Sequence, residues 1–214
     1  ISVLTTYQHH FIDLPTGVLL GWLCVWLWPL EGPGPMQRAR LPTGKKRWQL
    51  ALYYQVGAAA FAVPAFSFGG IWLWLTWPAS ALLLVALNYA VLGAEGFQKG
   101  ADGRLSPAAR WLMAPYLAAA WLNSRLWTRN NPQPDQVLDD VWLGRIPTGR
   151  ELKGSPFSAV FDLCSELSLD PGSVAYRTLP VLDLTTPTPL QCQQAALAIE
   201  SLRQHGPLLV CCAL

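Results

Sequence analysis

The chain has little charge. Only 13% of its 214 residues are Asp, Glu, Lys or Arg, whereas about a quarter of an ordinary soluble domain is charged. No charged residue occurs from Leu50 to Ala94, and none occurs from Leu14 to Leu30. This composition argues against an ordinary soluble domain and predicts an integral membrane protein whose partner is the lipid bilayer. The net charge of only +2 gives no reason to expect nucleic acid as a partner.

The charge-free stretches predict about three membrane-spanning helices. A spanning helix needs about 20 apolar residues, and one charge at mid-bilayer costs roughly 2.5–3.5 kcal/mol. The first helix is expected near Leu14–Leu30. The second and third, near Gln49–Ser67 and Ile71–Gly93, would be joined by a turn at Gly69-Gly70.

The cysteines lack the spacing of a zinc site or a disulfide framework. Their number is odd and no CxxC pair occurs, so we expect no metal and no cofactor, and a reducing compartment for the C-terminal region. The five residues are Cys24, Cys164, Cys192, Cys211 and Cys212.

The first residues lack the basic segment of a signal peptide, and the sequence begins with Ile1 rather than Met. We therefore interpret position 1 as a cut end.

Two basic clusters predict the orientation in the membrane. The stretch Glu31–Gln49 has five basic residues against one acid, and Lys99, Arg104 and Arg110 follow the third predicted helix. Short basic loops lie on the cytoplasmic side. The N-terminal end of the first helix is therefore expected outside, and the C-terminal region in the cytoplasm.

The C-terminal region has the pattern of a small α/β domain. Ser106-Pro107 predicts the start of a helix over Pro107–Thr128, which is either an amphipathic helix at the membrane interface or a core helix of the following domain. After a linker, Asn130–Asp135, a parallel sheet is expected with Leu208–Cys212 at its centre. The other predicted elements are strands at Val141–Gly144, Ala159–Leu163 and Tyr176–Leu184 and a helix at Pro189–His205.

His9 and Asp13 are spaced for chemistry at the predicted outer side. Four residues apart, they share one face of a helix. The carboxylate can fix the tautomer of the imidazole, whose other nitrogen is then free to act as a nucleophile or base. The alternative is that both are polar residues that solvate a helix end.

The stretch Ser2–Asp13 resembles the third motif of the type 2 phosphatidic acid phosphatase (PAP2) superfamily. Ser2, His9 and Asp13 match that motif, whereas Val3 stands where the family has Arg. The resemblance implies that His9 attacks phosphorus, Asp13 orients it and Ser2 binds phosphate. Val3 is similar to the variation in lipid phosphotransferases related to sphingomyelin synthase, so a phosphotransferase is an alternative.

Residues 141–214 resemble the first half of a dual-specificity, cysteine-based phosphatase. The matching segments are Trp142–Pro147, Phe161–Leu167, Leu179–Asp183 and Leu208–Cys212. The resemblance implies that Cys212 is the nucleophile and Asp183 the general acid. Cys211 stands where the family has His, so the choice between Cys211 and Cys212 depends on the resemblance alone. The family's phosphate-binding Arg would follow Leu214.

Together the two motifs resemble the junction of a bacterial PAP2/dual-specificity phosphatase fusion family. The expected parts are 1–30 (end of a PAP2-type bundle), 31–48 (basic loop), 49–94 (two helices), 95–135 (interfacial helix and linker) and 136–214 (truncated α/β domain). The resemblance implies a phosphatase in the bacterial inner membrane, with a lipid phosphate as outer substrate and a phosphoprotein or phospholipid as cytoplasmic substrate. A non-catalytic scaffold is the other alternative. The 214 residues alone are expected to be inactive.

Overall fold

The first helix ends before its predicted end at Leu30. The computed structural model describes residues 13–30, 32–41 and 44–213, and helix α1 covers Asp13–Leu27, 15 residues. At 1.5 Å per residue, these described residues extend over about 22 Å, and the hydrocarbon core of a bilayer is about 30 Å thick. Among the described residues, two other helices are long and apolar enough to cross a membrane. The predicted bundle of three spans is therefore not confirmed.

These two helices form a hairpin. Helix α2 covers Lys45–Phe68, and the second helical stretch covers Gly70–Phe97. The turn between them contains Gly69 and Gly70, with φ angles of 61° and 54°. Glycine adopts such angles without the steric cost of a Cβ atom. The turn predicted at this dipeptide is confirmed.

The second helical stretch changes its winding along its length. A 3₁₀ turn at Gly70–Leu75 leads into α3, Thr76–Leu87, which continues as a π-helical turn at Asn88–Leu92 and a 3₁₀ turn at Gly93–Phe97. The π-helical turn brings the buried Asn88 side chain against Gly96, where a Cβ atom would have no room.

The helix predicted from Pro107 to Thr128 is divided in two. Helix α4 covers Pro107–Leu112 and α5 covers Ala114–Trp127. Pro115 has no N–H to donate to the carbonyl of Trp111, four residues earlier. That carbonyl instead accepts a hydrogen bond from the indole N–H of Trp77 on α3, at 3.1 Å. The break therefore lets the segment pack against the hairpin.

A five-stranded sheet follows, with the central strand where the sequence predicts it. The order is β1-β2-β5-β3-β4, in which β1 is antiparallel to β2 and the other neighbours are parallel. Its elements are β1 (Asp135–Leu138), β2 (Val141–Arg145), α6 (Gly149–Lys153), β3 (Ala159–Cys164), β4 (Ala175–Val181), α7 (Pro189–Arg203) and β5 (Leu208–Cys212).

A buried ion pair joins the helical region to the sheet. The ammonium group of Lys99 donates to Asp162 Oδ2 at 2.6 Å and to the carbonyls of Cys164 and Leu167 at 2.6 and 2.8 Å. These three acceptors satisfy all three of its N–H groups. Neither charged side chain has any exposed surface. The sequence analysis used Lys99 as a marker of the membrane interface, but its side chain lies inside the protein.

Candidate functional site

The polar residues of the candidate site lie at the carboxyl edge of the parallel strands. Cys212 ends β5, Glu166 follows β3 and Asp183 follows β4. The carboxyl ends of parallel strands meet at one edge of a sheet, where α/β proteins bind their ligands. The structure thus places Cys212 and Asp183, which were selected from the sequence, at the same edge.

The surroundings of Cys212 disfavour its thiolate. Burial is the largest cause that raises the pKa of its thiol to about 11; the carboxyl groups of Glu166, Asp183 and Asp162 act in the same direction, and the backbone N–H of Ala213 opposes them. Among the described residues, the charged groups that act most strongly on this thiol are all carboxylates. A nucleophilic cysteine needs a lowered pKa, so Cys212 is a protonated thiol at neutral pH in these surroundings.

Asp183 is held through both of its peptide groups. Its N–H donates to Glu166 Oε1 at 3.0 Å, and its carbonyl accepts from the hydroxyl of Tyr89 at 3.1 Å. The next residue, Leu184, has a φ angle of 57°, which is uncommon for a residue other than glycine. The loop that carries Asp183 is therefore fixed by a carboxylate from the sheet and by a tyrosine from the second apolar helical stretch.

Glu166 is a buried carboxyl group beside this loop. Only 2% of the residue is exposed, and burial raises the pKa of its carboxyl, although the N–H of Asp183 acts in the opposite direction. The hydroxyl of Tyr89 lies 3.5 Å from Glu166 Oε1. The sequence analysis did not select Glu166 or Tyr89, because their roles depend on contacts between distant parts of the chain.

The two other cysteines near the sheet are interior residues. Cys211 is 1% exposed and Cys164 has no exposed surface. Burial raises the pKa of both thiols well above the ordinary value. Of the neighbours Cys211 and Cys212, only Cys212 is partly accessible.

Helix α5 contacts the end of the central strand. The hydroxyl of Ser124 donates to the carbonyl of Ala213, and Arg125 Nη2 donates to the carbonyl of Ile146 at 3.0 Å. The N–H of Ile146 in turn donates to the carbonyl of Cys212 at 2.6 Å. The segment predicted as an interfacial helix therefore also supports the edge at which Cys212 lies.

The outer candidate site lies mostly outside the described residues. Ser2 and His9 lie outside the described residues, whereas Asp13 is in the first turn of α1 and is exposed. In residues 13–30, 32–41 and 44–213, no group of three or more His, Cys, Asp or Glu side chains has an arrangement that could hold a metal ion.

Comparison of the chain with protein-family models, with curated proteins and with solved structures gives no match. The family resemblances of the sequence therefore stay predictions, and the geometry of the site has to support any function by itself.

Proposed function

We propose that the chain belongs to a membrane-bound phosphatase that hydrolyses phosphomonoesters at the carboxyl edge of its sheet. The observation that carries this proposal is the position of Cys212 at the end of the central parallel strand, with the Asp183 carboxylate close enough to influence its pKa. The thiolate of Cys212 would attack phosphorus and displace the alcohol. Asp183 would protonate the leaving oxygen, and water would then hydrolyse the phosphocysteine.

The proposed nucleophile needs a cation that the described residues do not place beside it. Three carboxylates act on Cys212, and they would oppose both the thiolate and a bound phosphate. The resemblance implies an Arg six residues after Cys212, together with a turn of backbone N–H groups. Such donors would lower the thiol pKa and bind the phosphate oxygens.

Membrane insertion of the hairpin is part of the proposal. In the most apolar windows of its two helices, only 17% and 28% of the residues are buried, whereas the core helix of a soluble protein is mostly buried. Large apolar side chains such as Val56, Phe66 and Ile71 are 61%, 75% and 78% exposed. Lipid would cover this surface.

Both polar ends of the hairpin lie beside the sheet. Arg47, at the start of α2, donates to the carbonyl of Tyr89 at 3.1 Å, and the Tyr89 hydroxyl contacts the Asp183 loop. Together with the basic residues of this side, this arrangement supports a cytoplasmic α/β domain in a bacterial inner membrane. The outer site would use His9, Asp13 and Ser2 on a lipid phosphate, and the sequence resemblance alone supports it.

A non-catalytic scaffold is the second candidate. The three carboxyl groups that act on Cys212 favour it, because they oppose the thiolate that would attack phosphorus. In that case the sheet edge would bind a partner without turning it over.

The phosphatase and the scaffold can be distinguished by measuring phosphatase activity with and without the sulfur atom of Cys212. We expect membranes that contain the protein expressed from its complete coding sequence to hydrolyse p-nitrophenyl phosphate. Cys212→Ser should lower the activity that is accessible from the cytoplasmic side to background, and Asp183→Asn should lower it by about 10²–10⁴-fold.

Cys211→Ser is the matched control, because the buried neighbour should tolerate the smaller hydroxyl with most of the activity retained. Unchanged cytoplasmic activity in Cys212→Ser would eliminate the nucleophile assignment, whereas absence of cytoplasmic activity in the unaltered protein would favour the scaffold.

A further inference from the structure

A polar cavity lies between the start of α2 and the loop that follows β4. Its volume is about 500 Å³, within the range of small-molecule sites. No acidic side chain lines it in the part of the chain that the structure describes. Its polar lining consists of Lys46, Arg47, Thr185, Thr186, Thr188 and Gln191.

The positive charge at this cavity is not compensated. Lys45, Lys46 and Arg47 occupy the first turn of α2, which has no acidic residue, and the helix dipole disfavours cations at that end. Within residues 13–30, 32–41 and 44–213, these three side chains take part in no ion pair. Because cations at this end of a helix reduce stability, an anion in the cavity would be favourable.

Arg47 is already held in place for such an anion. Its Nε donates to the carbonyl of Tyr89 at 3.1 Å and its Nη2 to the carbonyl of Asn88 at 3.3 Å. A guanidinium group has five N–H donors, so others are left for a ligand. The Lys46 side chain is exposed, and both Lys46 and Thr186 line the cavity together with Arg47.

The cavity is at the depth of lipid headgroups if α2 crosses the membrane. It opens at the first turn of this helix, next to Trp48, which is 47% exposed. Tryptophan and basic residues are enriched at this level of membrane proteins, where the anionic groups are lipid phosphates.

The cavity adjoins the candidate general acid. Leu182 and Thr185, on either side of the Asp183–Leu184 pair, both line it. Arg47 also connects to Asp183 through Tyr89, whose carbonyl accepts from Arg47 and whose hydroxyl donates to the carbonyl of Asp183. A phosphate bound by Lys46 and Arg47 would therefore lie beside the loop that carries Asp183, the proposed general acid.

We propose that this cavity binds the phosphate of a membrane phospholipid that ends in a phosphomonoester, such as phosphatidic acid. Two cations without an acidic neighbour fit the dianion of a monoester better than the single charge of a diester. The binding of this lipid does not depend on any phosphatase activity. The role of the cavity as the entrance for substrate rests on the phosphatase activity proposed above.

Native mass spectrometry of the detergent-solubilised chain tests the site without any turnover. Phosphatidic acid and phosphatidylglycerol of equal chain length compete for the protein, and we expect preferential retention of phosphatidic acid. Lys46→Ala should reduce that retention about fivefold, the effect of about one basic residue near an anionic lipid, and Lys46→Arg should keep it.

Lys45→Ala is the matched control, since it removes the same charge from the adjacent residue, which does not line the cavity. Its retention of phosphatidic acid should fall clearly less than that of Lys46→Ala. Equal losses in Lys45→Ala and Lys46→Ala would mean general attraction to the basic cluster and would overturn the site. Equal retention of the two lipids would overturn the preference for a monoester.

Two further arms separate the sources of phosphate and the two proposals. Glycerol 3-phosphate that displaces the lipid at equal concentration would mean a soluble ligand and would overturn the lipid assignment. Cys212→Ser should bind phosphatidic acid like the unaltered chain. If Cys212 turned out not to be the nucleophile, the result for lipid binding would therefore be unaffected.

Discussion

The hairpin has large apolar residues on its surface, whereas the sheet has them in its interior. Val56 in α2 is 61% exposed, whereas Val160 in β3 has no exposed surface. Buried polar groups show the reverse distribution. Asp162 lies in β3 and Glu166 follows it, and the charge-free stretch contributes Tyr89 and, just after it, Lys99. The hairpin thus exposes apolar side chains of a kind that the sheet buries, and the buried polar groups concentrate where the two regions meet.

The largest effect is expected from breaking the ion pair that joins the regions. Lys99→Met leaves the Asp162 carboxylate without its cation in a site with no exposed surface. Removal of one partner of a buried pair costs about 3–5 kcal/mol. We expect a large fall in the denaturation midpoint of the detergent-solubilised chain, measured by far-UV circular dichroism.

Arg104→Met provides the comparison for that substitution. Arg104 forms an ion pair with Asp170 at 2.9 Å, but both side chains are more than 60% exposed. Its denaturation midpoint should stay unchanged because water screens the pair. Equal effects of Lys99→Met and Arg104→Met would show that Lys99 does not join the regions as described.

The next effect concerns the contrast between the two surfaces. Val56→Arg puts a charge at the middle of α2, which should cost roughly 2.5–3.5 kcal/mol if lipid surrounds that position. We expect less protein in the carbonate-resistant membrane fraction of the expressing cells. Leu197→Arg on α7 changes a residue that is 66% exposed to the same charge, and it should leave that fraction unchanged.

A similar small effect of Val56→Arg and Leu197→Arg would mean that water, rather than lipid, surrounds α2. The contrast between the two regions would then be one of sequence only.

The smallest effect is a pH dependence at the junction of the regions. Burial raises the pKa of Glu166 above its ordinary value, so the unfolded chain releases this proton at lower pH than the folded one. Stability from this group is complete below the ordinary pKa and is lost as the pH rises through the folded value. Relative to Glu166→Gln, the unaltered chain should therefore lose thermal stability as the pH is raised from about 4.5.

Glutamine can still accept the N–H of Asp183, so the substitution isolates the titration. A constant difference between the two melting temperatures from acidic to neutral pH would contradict the raised pKa.

Local patterns were enough to predict much of the α/β domain. The apolar run Leu208–Cys212 predicted the central strand, and the Ser106 hydroxyl caps a helix as predicted, 3.1 Å from the N–H of Ala109. Strand β1 was missed because all four of its residues are exposed, which leaves no alternation of apolar and polar side chains. The break at Met113 was missed because Pro115 favours a helix start as readily as it disrupts a helix interior.

The site was predictable only in part, for a related reason. The resemblance implied that Cys212 and Asp183 belong to one site, and the parallel strands β3, β4 and β5 end at the edge where both residues lie. The contacts of Tyr89 with Asp183 and of Lys99 with Asp162 connect residues 94 and 63 positions apart. The periodicity and spacing of residues in the sequence do not indicate which distant residues form such contacts. Lys99 was misinterpreted because a basic residue after an apolar stretch has the same pattern at a membrane surface as in a buried ion pair.

The burial of Lys99 also determines what the sheet edge can reach. A domain on a flexible tether would sweep a volume of cytoplasm and turn any face toward the bilayer. Here the ammonium group is enclosed by three acceptors on the sheet, and the chain that carries it leads directly from the second apolar helical stretch. With that stretch in a membrane, the edge with Cys212 has one height and one orientation above the lipid. For the phosphatase proposed above, selection among substrates would then begin with geometry, since a compound would have to present its phosphate at that height.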